Sequence, residues 1–213
     1  MNKKHIIKKV LAAAIIGSFF LAAAYAQNFG IKMYYNFSKN SWTLPDNIIT
    51  FQENFSSKYA IGPFVELRLI PFFSFSAEGL LAKKGGIISP PAKKGIEYRL
   101  TYLSLPILIN IYVVPVGPVQ LFLSGGLEYS YLLSGKTYDL DLDVEVEDIK
   151  EKLFRRDTSY LLGGGIRLNL VVTSIILEGR YSIGQKSIFL PDYSKEGELF
   201  KNRVFSFGLG FTF

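Results

Sequence analysis

The stretch N-R-V-F-S-F-G-L-G-F-T-F at Asn202–Phe213 decides the fold. From Phe205 onward every second residue is apolar, and the residues between are only Ser, Gly or Thr. A period of two is typical of a β-strand, whose successive side chains point to opposite faces. One face of this strand is wholly apolar and the other is small and weakly polar. Such a strand fits a membrane-spanning barrel, in which the outer face meets lipid and the inner face meets a crowded lumen.

Seven earlier segments show the same alternation. The predicted strands lie near residues 29–37, 58–70, 72–83, 96–113, 118–133, 158–170 and 175–183. Their connections alternate long and short, beginning and ending with long ones, so both termini lie at the end with the short turns. Each strand is about long enough to span a bilayer when tilted, and lipid tolerates no open sheet edge. The sequence therefore predicts an all-β, eight-stranded antiparallel up-and-down transmembrane barrel with periplasmic turns and extracellular loops.

The amino-terminal segment has the features of an export signal. Lys3, Lys4, Lys8 and Lys9 precede an apolar core, residues 10–24, and Ala24-Tyr25-Ala26 fits a small-x-small cleavage site. We predict a cleaved signal peptide at residues 1–26 and an outer-membrane barrel domain at residues 27–213. An uncleaved membrane anchor is the alternative interpretation of the same run.

Composition excludes several kinds of chemistry. The chain has no cysteine, and its single histidine, His5, leaves with the signal. Histidine-based triads, histidine metal ligands and disulfides are therefore absent from the predicted mature chain. Removal of the signal leaves 20 bases and 18 acids, so the basic balance says nothing of nucleic acid. We predict no catalytic residue, no cofactor, no metal site and no nucleic-acid partner.

Strand parity directs charged residues into the predicted lumen. The lumen cluster comprises Lys32, Glu66, Arg68, Glu78, Glu128, Arg167, Glu178 and Arg180. An eight-stranded barrel is only wide enough for its own side chains, so four acids and four bases predict a paired ionic plug. A gated ion path or a carboxylate catalytic site is the functional alternative.

Aromatic residues and prolines add two further predictions. One aromatic girdle is predicted near the long loops, at Tyr35, Phe37, Tyr59, Tyr129, Tyr131, Tyr160 and Tyr181. A second is predicted near the short turns, at Phe29, Phe72, Phe73, Tyr112, Phe211 and Phe213. Pro63 and Pro106 lie inside predicted strands and lack a ladder donor, so we expect β-bulges there.

Two of the predicted connections are highly charged. The longest, residues 134–157, carries Asp139, Asp141, Asp143, Glu145, Glu147, Asp148 and Glu151. Carboxylates could gather Ca²⁺, but the turn glycine and the final glutamate of an EF-hand loop are missing, which favours a solvated acidic loop. The connection at residues 84–95 is flanked or occupied by Lys83, Lys84, Lys93 and Lys94. These lysines either contact anionic lipid head groups or form an ordinary soluble loop.

Several short motifs resemble the PorT type of outer-membrane β-barrel family, an eight-stranded, OmpA/OmpX-like barrel. The segment Tyr102–Leu108 (Y-L-S-L-P-I-L) is the strongest. The others are residues 30–32, 77–81, 178–184 and 202–205. The resemblance makes Pro106 a family feature, and it implies an architecture rather than an activity. Phe211 and Phe213, which end an alternating strand, resemble the assembly signal of bacterial outer-membrane barrels and imply the barrel-assembly machinery as a partner.

The predicted role is non-catalytic. We expect an outer-membrane, porin-like scaffold whose extracellular loops serve adhesion, envelope integrity or the docking of a secretion or envelope partner. Outer-membrane lipid and lipopolysaccharide would surround it. The alternatives are a lipid-modifying outer-membrane enzyme, which would have to work without histidine, and a narrow channel for small solutes. A soluble lipocalin-like carrier would have too few surface charges.

Overall fold

The computed structural model describes residues 28–43, 52–89, 95–114, 116–193 and 199–213. The predicted signal peptide at residues 1–26 lies outside the described residues, as do Lys93 and Lys94. The described strands are β1 (Asn28–Thr43), β2 (Gln52–Asn54), β3 (Ser56–Ile70), β4 (Phe73–Glu78), β5 (Leu80–Lys84), β6 (Ile87–Ser89), β7 (Ile96–Tyr112), β8 (Val119–Asp139), β9 (Val144–Asp148), β10 (Arg156–Asn169), β11 (Ser174–Gly184) and β12 (Leu199–Thr212). Two 3-10 helices span Lys150–Lys152 and Pro191–Tyr193. In these ranges no helix has the length and apolarity needed to cross a membrane.

The barrel wall consists of eight antiparallel strands, of which β4 and β5 together form the third. From β1 the pairing runs through β3, β4 with β5, β7, β8, β10, β11 and β12, and it returns to β1. The pairing of β12 with β1 is continuous from Gly30 opposite Thr212 to Thr43 opposite Leu199. The antiparallel up-and-down barrel predicted from the alternation is therefore confirmed.

The period-two pattern sorts side chains between the two faces of the wall. On β12, Phe207 is 56% exposed, whereas Ser206 and Gly208 on either side of it are buried. The same division on β1 leaves Tyr35 on the outer face and buries Tyr34 and Asn36 inside. Most of the outer face is thus apolar, and the polar groups of the inner face lie opposite one another across a narrow interior.

The two ends of the barrel differ. Short connections at residues 71–72, 113–118 and 170–173 define what we call the turn-side end. At the opposite, loop-side end, a five-stranded sheet in the order β2–β6–β7–β8–β9 continues the wall. The boundary predicted at residue 133, between the strand and the long connection, is therefore wrong. There β8 runs on to Asp139 and pairs with β9, because the alternation of Val144–Asp148 suits a hairpin.

The bulges predicted at the two prolines are wrong. The register runs unbroken past Pro63, which lies opposite Ile31, and past Pro106, which lies opposite Glu128. The irregularities fall instead between Arg68 and Ile70, between Thr101 and Tyr102, and between Thr137 and Tyr138. The wall strand between the two proline-containing strands, which is formed by β4 and β5, is interrupted at Gly79. The N–H of Gly79 donates to the Pro63 carbonyl at 2.9 Å, but Pro63 has no N–H to donate in return.

Candidate functional site

All eight charged residues predicted to face the lumen lie on the inner face of the barrel. Seven of them are buried: Lys32, Glu66, Glu78, Glu128, Arg167, Glu178 and Arg180. The eighth, Arg68, is half-buried. They do not form one continuous cluster but divide among three groups at different depths.

The central cluster joins β1, β4 and β11 through Lys32, Tyr34, Glu78, Glu178 and Arg180. The Arg180 guanidinium donates to both oxygens of Glu78 at 2.8 and 2.9 Å, and to Glu178 at 2.9 Å. The Lys32 ammonium lies 2.8 Å from Glu78 and 3.2 Å from Glu178. Tyr34 donates its hydroxyl to the Glu178 carboxylate and accepts a bond from Arg180 at 2.8 Å. Two cations and two anions thus balance one another within hydrogen-bonding distance.

A turn-side cluster is built around Glu66. Its carboxylate pairs with Arg167 and accepts hydrogen bonds of 2.6 Å from both Ser74 and Tyr112. The Arg68 guanidinium stacks 3.9 Å from the Tyr112 ring centroid and donates to the Gln120 side chain at 3.0 Å. The prediction that placed Tyr112 in an aromatic girdle is wrong, because its strand parity turns it inward. The remaining aromatics predicted for the girdles are at least partly exposed.

A loop-side cluster is centred on Glu128. Its carboxylate lies 2.8 Å from the Lys84 ammonium and accepts hydrogen bonds from Ser130 at 3.1 Å and Ser182 at 3.2 Å. The prediction that placed Lys84 in a lipid-facing or soluble loop is wrong. Strand β5 extends through Lys84, which shares the inward parity of Leu80 and is 3% exposed. Its neighbour Lys83 points outward, with its ammonium 4.6 Å from the Tyr59 ring centroid.

Two further buried acidic residues were not predicted to face the lumen. Asp157 is buried and accepts a 2.9 Å hydrogen bond from Asn202. Parity counted back from Arg167 along β10 would have placed Asp157 inside, but it was assigned to the preceding connection. Glu97 pairs with Lys58 and with Arg99, the latter at 2.6 Å. Parity counted back from outward Leu103 along β7 places Glu97 on the outer face, yet Glu97 is buried, so the local pattern did not indicate this pair.

Little space remains between the clusters. A cavity of about 30 Å³ lies between the central and loop-side clusters, bordered by Arg180, Lys84 and Glu128. A water molecule needs roughly 10–15 Å³ of such space, so the cavity holds about two. The interior of the described barrel is therefore filled by its own side chains.

An apolar lid covers the loop-side end. It comprises Ile88, Leu100, Tyr102, Leu132, Ile149, Leu153, Ile188 and Phe200. Two connections meet in it, since Leu153 bridges to Phe189 and the Phe154 N–H donates to the Ile188 carbonyl at 2.8 Å. The lid thus packs residues from several strands and loops together at the loop-side end of the barrel.

The acidic hairpin of β8 and β9 uses its carboxylates internally. Asp139 accepts backbone N–H bonds from Asp141 and Leu142 at 2.8 and 3.1 Å, which caps the turn. Glu145 pairs with Lys136 at 2.7 Å, and this hydrogen bond raises the pKa of the Lys136 ammonium. Within the described ranges, no three potential ligands come together as a metal site would require. The arrangement favours a self-paired acidic surface over a cation site.

The two residues of the predicted assembly signal end the outer row of β12. Phe211 and Phe213 both face outward, and the Phe213 ring centroid lies 5.7 Å from that of Phe29. The Phe213 N–H also donates to the Phe29 carbonyl at 2.9 Å. The terminal aromatic therefore packs on the first strand at the seam between β1 and β12.

Comparison with known proteins gives a family match across most of the chain. The profile of the outer membrane protein beta-barrel domain family matches residues 23–190. A search of curated proteins found no match. Among solved structures the chain resembles the attachment invasion locus protein Ail of Yersinia pestis, at 13% identity and a TM-score of 0.46 over 87% of this chain and 98% of that one. It also resembles Neisserial surface protein A, at 12% identity and a TM-score of 0.47 over 85% of this chain and 95% of that one. The outer membrane protease OmpT from Escherichia coli is similar at 13% identity and a TM-score of 0.44, over 88% of this chain and 97% of that one.

Proposed function

The chain belongs to the outer membrane protein beta-barrel domain family and resides in the outer membrane, and from this premise we propose that it is a non-catalytic scaffold acting through its loop-side surface. The observation that carries the proposal is the filled interior. Three ionic clusters and the apolar lid occupy the described interior, and the cavity of about 30 Å³ between two of the clusters holds only about two waters, which supports a barrel without an open solute path. A barrel with a filled interior acts through the surface that it exposes outside the membrane.

The loop-side sheet supplies a surface for that role. Strand β9 lies at the edge of the sheet, with Val146 57% exposed and the adjacent turn residue Leu142 72% exposed. Its acidic side chains are held by salt bridges such as Glu147–Lys152 at 2.5 Å. An exposed edge with ordered side chains can pair with another protein at little ordering cost. We propose an envelope or secretion protein as the partner.

The state of the carboxylates argues against an enzyme. Glu66, Glu78 and Glu128 are each bonded to a buried base, so none is poised to move a proton. The predicted mature chain has no histidine. A lipid-modifying enzyme would need an acid–base pair at the rim, where the carboxylates of the acidic hairpin are engaged with the hairpin itself.

Site-specific photocrosslinking in intact cells tests the scaffold. A photoreactive residue at Val146 should give a discrete protein adduct. The same residue at Val172, which is 86% exposed in a turn-side connection, should not give that adduct. Absence of the Val146 adduct, or the same adduct from both sites, would contradict the proposal.

Conductance tests the alternative channel. The purified protein in planar bilayers should show no steady porin-like current, because charged side chains and the lid fill the interior. Large ohmic steps from the unmutated protein would favour a channel and remove the main support for the scaffold.

A further inference from the structure

The turn-side cluster carries more positive than negative charge. It contains two guanidiniums, of Arg68 and Arg167, and one carboxylate, of Glu66, which leaves a net charge of +1. Arg167 is the base that pairs with Glu66. Arg68 contacts the Tyr112 ring and the Gln120 side chain, and neither carries a negative charge. Within the described part of the chain, Arg68 is therefore a lumen base without a carboxylate partner.

An arginine at the other end of the barrel shows the arrangement that Arg68 lacks. Arg99 also stacks on a tyrosine, with its guanidinium carbon 3.8 Å from the Tyr138 ring centroid. In addition, it pairs with the Glu97 carboxylate at 2.6 Å. On the turn side, by contrast, the enclosed Nε–H groups of Arg68 and Arg167 have no acceptor. A buried donor without an acceptor costs free energy, so an added anion would stabilise this cluster.

Arg68 lies at the mouth of the barrel on the turn side. It is opposite Ser74 on β4, and the connection at residues 71–72 follows it closely. Its hydrogen bond to Gln120 joins β3 to β8, which are not neighbours in the wall, so the guanidinium extends across the lumen. Because Arg68 is only half-buried, an anion can reach it from this end.

The three short connections around this mouth are apolar. Residues 71–72, 113–118 and 170–173 include no Asp, Glu, Lys or Arg. The side chains of Val116, Val171 and Val172 are each at least 70% exposed. One positive group within an apolar rim favours a ligand with a single negative charge and an apolar body. The mouth opens along the barrel axis, whereas lipid surrounds the wall, which favours a peptide over a lipid.

We infer that the turn-side mouth binds the terminal carboxylate of an apolar peptide segment, on the side that the predicted topology places in the periplasm. The carboxylate accepts hydrogen bonds from the Arg68 guanidinium, whose planar fork matches its two oxygens. A carboxylate has one negative charge and cancels the net charge of the cluster, whereas a phosphate monoester has nearly two. The apolar side chains of the peptide lie against the exposed valines. The inference is independent of the scaffold proposal, which concerns the loop side.

Isothermal titration calorimetry of the refolded full-length mature protein in a non-ionic detergent tests the site. The probe is an acetylated tripeptide, valine-valine-phenylalanine, with a free terminal carboxylate. The same peptide with a terminal amide should bind about tenfold more weakly, the lower end of what a hydrogen-bonded charge contributes, because Arg68 is only half-buried. Partition into the detergent favours the uncharged amide, so it would give the opposite order.

Three variants locate the binding. Arg68→Gln should bind the free acid about tenfold more weakly than the unmutated protein does. Arg68→Lys keeps the charge but loses the planar fork, so its affinity should lie between the two. Arg99→Gln is the matched control, because Arg99 has the same stacking at the loop side, and it should bind as the unmutated protein does. Heat-modifiable gel migration checks that each variant is folded.

The remaining outcomes separate this site from its alternatives. Equal binding of acid and amide, full binding by folded Arg68→Gln, or an equal loss in Arg99→Gln would overturn the inference. Displacement of the peptide by acetate at the same concentration would overturn the role of the apolar rim. Displacement by an equal concentration of phosphatidylglycerol in the detergent would make the ligand a lipid and overturn the assignment to a peptide.

Discussion

Replacement of Arg180 by methionine is the most direct test of the central cluster. Methionine keeps much of the side-chain volume but removes three hydrogen bonds to carboxylates, at 2.8, 2.9 and 2.9 Å. Lys32 is then the only cation left in that cluster for both Glu78 and Glu178. Breaking one partner out of a buried ionic group costs about 3–5 kcal/mol, chiefly because a charge is left uncompensated.

The position of Arg180 narrows this range. Arg180 borders the cavity of about 30 Å³, so water can partly replace the guanidinium. We therefore expect Arg180→Met to lower the free energy of unfolding by an amount at the lower end of this range, about 3 kcal/mol. Urea titration in lipid vesicles, followed by heat-modifiable migration, measures the free energy of unfolding. Arg203→Met on the outer face is the matched control and should change it by no more than about 0.5 kcal/mol.

A double-mutant cycle identifies the partner of Arg180. Adding Glu78→Gln or Glu178→Gln to Arg180→Met restores the charge balance in either case. Arg180 bonds to both oxygens of Glu78 but to one oxygen of Glu178, so we expect the Glu78 coupling to be the larger, within a range of about 0.5–3 kcal/mol. A cost below about 1 kcal/mol for Arg180→Met, or no coupling to Glu78, would refute the paired plug.

Three other predictions concern separate parts of the chain. Lys84→Met should destabilise the barrel by about 3–5 kcal/mol, because it leaves the buried Glu128 carboxylate without its cation. Lys83→Met, on the outer face, should change the free energy of unfolding by no more than about 0.5 kcal/mol in the same urea titration. Equal effects of the two substitutions would contradict the inward placement of Lys84. Phe213→Asp should leave export intact but lower the heat-modifiable fraction in outer membranes, and normal migration would argue against an assembly role. Calorimetry of the acidic hairpin should show only millimolar calcium binding; a sub-micromolar site abolished by Asp141→Asn with Asp143→Asn would disprove this.

Strand parity explains how far sequence reasoning reached. Alternation is a local property, so Lys32, Glu78 and Arg180 could be assigned to the inner face from their neighbours alone. Which of these groups meet depends on register and tilt around the whole barrel. The bond between Lys32 and Glu178 joins residues 146 positions apart, and no local pattern specifies it.

Strand boundaries explain most of the errors. Lys84 and Asp157 both follow strand parity, but each lies one residue outside the predicted bounds of its strand. The bulges predicted at Pro63 and Pro106 are wrong for a different reason. A missing N–H was expected to shift the register of its own strand, whereas the structure keeps the register and interrupts the neighbouring strand at Gly79.

The central cluster also bears on the chain before it assembles. Its members come from β1, β4 and β11, so their charges are neutralised only when strands from the beginning and end of the chain meet. Until then each ammonium, guanidinium and carboxylate is separately hydrated, which is the favourable state for an isolated ion. The side chains that fill the finished barrel therefore help to keep the unassembled chain in water, where its apolar rows would otherwise promote aggregation. Substituting the cluster with well-packed apolar residues would remove that protection even if the folded barrel became more stable.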